Sequence, residues 1–156
     1  MQIHLLAIGK KMPDWISTGF KEYTSRLKST MPLFLTEIAT TRKSNSQDSK
    51  TVMREEGEKL LAAIPDNAWV VALDEHGKQW SSKELAAQVE KWANHSSQVA
   101  LMIGGADGLD KTCLERADQT WSLSPMTLPH AMVRVVVAEQ LYRAWSLNNN
   151  HPYHRS

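Results

Sequence analysis

The chain has 156 residues and a mass of 17.6 kDa, enough for one domain with a substantial core but short for two. Apolar residues make up 42% and charged residues 22%, which excludes collagen-like and disordered proteins. The formal net charge of +1 argues against a strongly basic nucleic-acid coat protein but allows a local basic patch. Cys113 is the single cysteine, so an internal disulfide is excluded and a reducing compartment is favoured.

Features of membrane, secreted and metal-binding proteins are missing from the sequence. Its apolar runs are shorter than the ~20 residues that a spanning helix needs. Residues 1–15 have no basic segment before their apolar run and no small-residue cleavage site, unlike a signal peptide. The histidines and carboxylates show no metal-ligand spacing. We therefore expect a soluble, cytoplasmic, metal-free protein with one domain over 1–156.

Short apolar segments bounded by turn residues recur along the chain and predict buried strands. Only His4 interrupts the first segment, and the third ends in the carboxylate of Asp74. The last, around Trp121, alternates apolar and polar residues. The predicted strands cover 3–8, 33–39, 69–74, 98–103 and 121–124.

Helical patterns follow each of these strands. The first helix opens at Pro13, and the third opens on a capping-box pair, Ser81 and Glu84, with Ala93 on its inward face. The last covers 130–147 because its apolar run continues without glycine or proline. This helix is apolar nearly all round, so we expect it to be fully buried or to pack against a partner.

The alternation of strands and helices predicts a single α/β domain. Continuous apolar strands joined by helices indicate a mostly parallel sheet of about five or six strands with helices on both faces. Ligands of such sheets bind beyond the carboxyl ends of strands, so the loops after Asp74, Ile103 and Ser124 form the candidate site. The polar segment 40–49 predicts a flexible loop.

Two of these loops have a distinctive composition. Residues 104–108 read GGADG between a strand and a helix, which fits a ligand-binding turn and a plain tight turn equally well. The spacing matches neither a dinucleotide fingerprint nor a phosphate-binding P-loop. Pro125 and Pro129 stiffen the loop 124–130, which either walls a small-molecule pocket or is a simple connection.

Polar and titratable residues cluster at the end of the chain. Glu139 and Arg143, spaced i, i+4, either support their helix or form a polar spot in an apolar interface. The tail, residues 148–156, holds histidines, a tyrosine and an arginine, which can move protons or stabilise an anion. Fraying is the default for a terminus, so both interpretations of the tail stay open.

Five segments carry a resemblance to a known family: 11–15 (KMPDW), 72–78 (ALDEHGK), 101–109 (LMIGGADGL), 121–146 and 150–155 (NHPYHR). They resemble the bacterial RlmH family of SPOUT-class, α/β-knot methyltransferases. That family methylates N3 of a pseudouridine in large-subunit (23S) ribosomal RNA. The resemblance implies a trefoil knot over about 70–147, which no residue pattern predicts because knots are nearly absent from proteins.

The family uses S-adenosylmethionine, held by three loops after strands. The resemblance implies that the cofactor contacts one residue after the third strand, one after the fourth and a run after the fifth. These residues are Leu73, Gly104, Leu123, Ser124, Pro125, Met126, Thr127 and Leu128. No metal is implied.

The resemblance also implies a homodimer that acts on ribosomal RNA in the assembled ribosome, with catalysis by the tail. Tyr153, His154 and Arg155 are suited to orient the base, accept its N3 proton and hold anionic charge, and Glu139 and Arg143 are the alternative catalytic pair. His154 is the candidate base. Two other functions stay open: a methyltransferase of the same fold acting on transfer RNA, and a non-enzymatic RNA-binding module.

Overall fold

The sheet has five strands in the part of the chain that the structure, a computed structural model, describes, which is residues 1–44 and 46–155. The strands are β1 (Gln2–Ile8), β2 (Leu33–Ile38), β3 (Trp69–Gln79), β4 (Gln98–Ile103) and β5 (Gln119–Ser122). All neighbours pair in parallel, in the spatial order β2-β1-β4-β3-β5. The predicted parallel sheet is therefore confirmed, and its carboxyl ends form one edge.

Helices cover both faces of the sheet, as predicted. They are α1 (Asp14–Leu27), α2 (Ser49–Ala62), α3 (Ser82–His95), α4 (Lys111–Arg116) and α5 (His130–Asn148), followed by a short 3₁₀ helix (Pro152–Arg155). The helix α5 lies between α1 and α3 on one face, and α2 and α4 lie on the other. Within the described residues, no helix combines the length and apolar character needed to cross a membrane.

Local signals place the helix starts correctly. The Ser81 hydroxyl accepts a 3.1 Å hydrogen bond from the backbone N–H of Glu84, which confirms the predicted cap of α3. Trp92, on the inward face of the same helix, is fully buried. Ala93, however, is exposed, so its predicted inward position was wrong. The buried face of α3 therefore excludes Ala93 and is narrower than the sequence pattern predicts.

The strand β3 is longer than predicted because it resumes pairing after an interruption. Leu73 pairs with Trp121 of β5, and the register then shifts so that Lys78 pairs with the same residue. Residues 74–77 loop out at the carboxyl edge of the sheet. A Cβ atom on Gly77 would lie 2.8 Å from the Thr120 backbone, so only glycine fits where the strand returns.

A buried arginine ties the start of α5 to the edge strands. The Arg134 side chain is 1% exposed and donates a 2.7 Å hydrogen bond to the Glu37 carboxylate of β2. It also donates at 2.8 Å to the Gly9 carbonyl, just past β1. These contacts hold the first turns of α5 over the carboxyl ends of β1 and β2. Sequence analysis missed this role, because Arg134 stands in an apolar run.

Candidate functional site

Three loops at the carboxyl ends of β3, β4 and β5 enclose an open cleft of about 670 Å³. They are the loops that the sequence singled out. The predicted cofactor residues that line this cleft are Leu73, Gly104, Leu123, Ser124, Met126, Thr127 and Leu128. Pro125 belongs to the same loop but is not among the lining residues. Since these side chains come from distant parts of the sequence, the fold alone brings them together.

The cleft combines an apolar wall with a polar rim. Leu123 and Leu128 are half-buried, whereas the Met126 side chain at the rim is 69% exposed. Thr127 donates a 3.2 Å hydrogen bond to the Glu75 carboxylate and so joins the loop after β5 to the loop within β3. A small molecule with an apolar body and charged groups fits such a lining.

The glycine loop, residues 104–108, forms a tight turn along one wall of the cleft. A Cβ atom on Gly104 would lie 2.5 Å from the backbone carbon of Gly108, a contact that no side chain permits. The Gly108 N–H donates to the Gly105 carbonyl at 3.0 Å, and Gly108 has a φ of +86°. The close approach of backbone to backbone therefore explains Gly104, the positive φ explains Gly108, and the turn they form lines the cleft.

The first turn of α5 also lines the cleft, through His130, the last residue of the predicted loop 124–130, and through Val133, which the sequence did not assign to the site. The only signal available for Val133 was the proline that starts the helix. Asp107 of the glycine loop also lines the cleft and had no predicted role. Its acidic side chain stood out only as part of the family-like GGADG segment.

The predicted catalytic residues form a separate cluster on α5. The Tyr153 hydroxyl donates a 2.9 Å hydrogen bond to Oε1 of Glu139, and Nη2 of Arg143 donates to the same oxygen at 2.7 Å. The Arg143 guanidinium lies 5.1 Å from the centre of the Tyr153 ring. Glu139 and Arg143 thus pair on their helix, as the first of the two interpretations predicts, and Glu139 also anchors the tail. A polar spot in an apolar interface remains a prediction.

A buried serine folds the tail back onto α5. The Ser146 hydroxyl donates a 2.7 Å hydrogen bond to the His151 carbonyl and accepts a 3.1 Å bond from the backbone N–H of His154. Nδ1 of His154 lies 2.8 Å from the same hydroxyl. Asn150 adopts a φ of +53°, a left-handed conformation that asparagine tolerates at helix ends. The tail is therefore ordered through Arg155.

The environment of Tyr153 limits its chemistry. Burial, together with hydrogen bonds to Tyr23 and Glu139, raises the pKa of the Tyr153 phenol above its ordinary value of 10.0. The phenol therefore keeps its proton at neutral pH, donates a hydrogen bond to Glu139 and does not act as a base. Arg155 is exposed at the end of the 3₁₀ helix, where its guanidinium can reach another molecule.

The tail cluster lies away from the cleft of its own chain. Glu139 and Arg143 are six and ten residues beyond Val133, the last residue of α5 that lines the cleft. At a rise of 1.5 Å per residue they lie about 9 and 15 Å farther along α5. One chain therefore does not bring its tail residues and its cleft together.

Neither Cys113 nor the acidic side chains of the described residues form a second candidate catalytic or metal-binding site. Burial raises the pKa of the Cys113 thiol to about 11, so the thiol is unreactive at neutral pH. Among the described residues, no group of three histidine, cysteine, aspartate or glutamate side chains could hold a metal ion.

Comparison with known proteins shows both family and fold. A family model described as "Predicted SPOUT methyltransferase" matches residues 1–154. A protein of Marinomonas sp. (strain MWYL1), named "Ribosomal RNA large subunit methyltransferase H", is 50% identical over 155 residues, covering 99% of this chain and all of the relative. A protein of the same name from Methylococcus capsulatus is 48% identical over the same coverage.

Solved structures with little sequence similarity share the fold. A probable methylase family protein from Haemophilus influenzae Rd KW20 superimposes with a TM-score of 0.55 at 16% identity, covering 99% of this chain and 70% of that protein. A Legionella pneumophila protein, described as a methyltransferase and solved with bound SAM, gives a TM-score of 0.51 at 14% identity, covering 93% and 66%. The family model and these similarities together confirm the SPOUT type of α/β fold.

Proposed function

Because the chain belongs to the SPOUT methyltransferase family, we propose that it methylates N3 of a pseudouridine in large-subunit ribosomal RNA, with S-adenosylmethionine as donor. The observation that carries this proposal is the full-length similarity to relatives named for the large ribosomal subunit. The position of the cleft adds support, since it lies at the three loops that the family uses for its cofactor.

The lining of the cleft fits S-adenosylmethionine. A volume of about 670 Å³ is within the usual range of small-molecule sites. The apolar wall suits the adenosine, and the carboxylates of Asp74 and Glu75 suit the positively charged ammonium and sulfonium groups. When bound, the cofactor supplies an electrophilic methyl group. The residues expected to hold it are those of the three loops, Leu73, Gly104 and 123–128.

The reaction requires removal of a proton from the base. N3–H of pseudouridine is a weak acid, and the N3 lone pair attacks a methyl carbon only when the proton leaves or the developing anion is stabilised. His154 is the candidate acceptor of that proton, and Arg155, whose side chain is exposed, is the candidate group to hold the anionic base. Tyr153, protonated and fixed by Glu139, orients the tail.

A homodimer resolves the separation between tail and cleft. The helix α5 leaves Met132 40% exposed and Val135 and Val136 half-buried, and the adjacent α1 exposes 62% of Trp15. Apolar surface of this kind on two packed helices favours a second copy of the chain. We propose that the tail of one subunit completes the cleft of the other, so that catalysis requires the dimer.

Methyl transfer to defined RNA substrates tests this function. The purified protein, supplied with methyl-labelled S-adenosylmethionine, is expected to label whole ribosomes at N3 of one pseudouridine and to leave transfer RNA unlabelled. Labelling of transfer RNA alone would favour the other substrate class. Absence of S-adenosylmethionine binding in calorimetry would favour the non-enzymatic RNA-binding module. The trefoil knot over about 70–147 remains a prediction that these experiments do not test.

A further inference from the structure

The predicted 40–49 loop, of which the structure describes 40–44 and 46–49 and whose last residue, Ser49, begins α2, is bonded to the glycine loop. The Arg42 guanidinium forms an ion pair with the Asp107 carboxylate, and the Ser49 hydroxyl donates to the other carboxylate oxygen at 3.3 Å. The Arg42 and Asp107 side chains are only 20% and 28% exposed, so water screens this pair less than a surface pair. Since Asp107 lines the cleft, the pair holds one cleft wall from outside.

A buried carboxylate supports the same loop from below. Glu56 of α2 is 4% exposed and accepts a hydrogen bond from the Thr40 hydroxyl. The Thr40 oxygen also accepts a 3.1 Å bond from the backbone N–H of Arg42. The position of a Cβ on Gly105 lies 3.1 Å from Oε1 of Glu56, so the carboxylate packs against the glycine-loop backbone. One continuous network thus joins α2, the 40–49 loop and the cleft.

The glycine loop needs support from other segments because it has few side chains that could fix its conformation. Its sequence, GGADG, has one side chain, Asp107, that is long enough to make a distant contact. Glycines lose the most conformational freedom on ordering, and binding to an unordered loop must offset that loss. A loop held in place before the ligand arrives binds more tightly.

We infer that Arg42 and Glu56 are positioning residues for the cofactor: Arg42 acts through Asp107, and Glu56 acts on the backbone at Gly105. Neither residue lines the cleft. The inference rests on the proposed function only in taking the cleft as the S-adenosylmethionine site. It adds a role for the 40–49 loop and for a buried acid that the reaction itself does not use.

The effect should appear in cofactor affinity and in loop order. We expect Arg42→Ala to weaken S-adenosylmethionine binding about 5-fold or more, the usual scale for loss of a coupled contact. The methyl-transfer rate at saturating cofactor should stay near that of the parent, because the reacting groups are untouched. Hydrogen exchange of residues 104–109 should become faster in the ligand-free protein, since the loop is less restrained.

Two comparisons separate positioning from general damage. Arg116→Ala removes a similar ion pair, with Asp118, that lies outside the cleft, and should change neither affinity nor exchange at 104–109. Adding Arg42→Ala to Asp107→Ala should weaken binding no further, because Arg42 acts through that carboxylate.

The two Glu56 variants differ in whether they preserve the contact. Glu56→Gln keeps an oxygen that accepts from Thr40, so it should retain parental affinity and exchange. Glu56→Ala removes the support, so it should weaken binding and speed exchange.

Isothermal calorimetry with S-adenosylmethionine, and hydrogen exchange by mass spectrometry without it, form the experiment. Unchanged affinity and unchanged exchange at 104–109 in folded Arg42→Ala and Glu56→Ala proteins would overturn the inference. Equal losses in Arg116→Ala would do the same. A parent protein that binds the cofactor but does not methylate ribosomes would contradict the proposed function alone.

Discussion

Tyr153 donates a 2.9 Å hydrogen bond to Glu139 and thereby fastens the end of the chain to the middle of α5. The ring of Tyr153 also packs 4.6 Å from that of Tyr142, centre to centre. The tail is therefore a built element whose last residues project from a defined position. This order makes catalysis by the tail testable with single substitutions.

Arg155→Ala is expected to separate catalysis from cofactor binding. The residue is exposed, so its loss should cost little stability, and it lies outside the cofactor cleft. Methyl transfer to ribosomes should slow by ~10²-fold, the usual scale for a lost anion-stabilising group. Single-turnover rates and calorimetry would measure both effects, with the exposed Lys91→Ala as control. A parental rate in Arg155→Ala would remove the tail arginine from the mechanism.

Met126→Ala probes the cleft without disturbing the core. The side chain lines the cleft and is 69% exposed, so the fold should be unaffected, while the apolar area buried against the cofactor falls. We expect S-adenosylmethionine to bind about 5-fold more weakly by calorimetry. Lys91→Ala, at an exposed position of α3, should bind normally. Parental affinity in Met126→Ala would argue against the assigned cleft.

Val136→Asp tests the dimer through α5. The side chain is half-buried in a single chain, so a charge there is tolerable in a monomer but costly inside an apolar interface. Light scattering should show a dimer for the parent and for the similarly shaped Val136→Thr, and dissociation into folded monomers for Val136→Asp. A parent that is a stable, active monomer would contradict the dimer and the shared active site together.

Burial of the Cys113 thiol should make the stability of the protein depend on pH in the alkaline range. Its pKa is raised to about 11 in the folded protein by burial, whereas the unfolded thiol keeps its ordinary value of 9.0. The protonated thiol therefore stabilises the folded state fully below pH 9, and this stabilisation is lost as the pH rises toward 11. At pH 8 a thiol reagent should label the protein only after denaturation. Rapid labelling of the native protein would contradict the burial of this thiol.

The elements were predictable because apolar periodicity and caps are local signals. The strand β3 was predicted too short, since its continuation past Asp74 depends on pairing with β5 and not on its own polar sequence. The burial of Glu56 and Arg134 was also missed, because each is satisfied by partners far away in the chain. Long-range pairing of this kind leaves no local pattern.

The site was predictable at the level of loops but not of roles. Gly104 was placed correctly at the cleft, yet its sequence does not reveal that Gly108 blocks any side chain there. Gly104→Val would therefore deform the loop as well as the pocket, which makes it a poor probe of binding. The sequence did not decide whether the tail frays or has a function, because Ser146, which orders the tail, lies within a buried helix.

Mass mapping of large-subunit ribosomal RNA from a strain lacking this protein tests the proposed function most directly. We predict that one pseudouridine loses the mass of a methyl group, and that the parent protein restores it whereas Arg155→Ala does not. Ribosomal RNA that keeps every methyl group in that strain would contradict the proposed function.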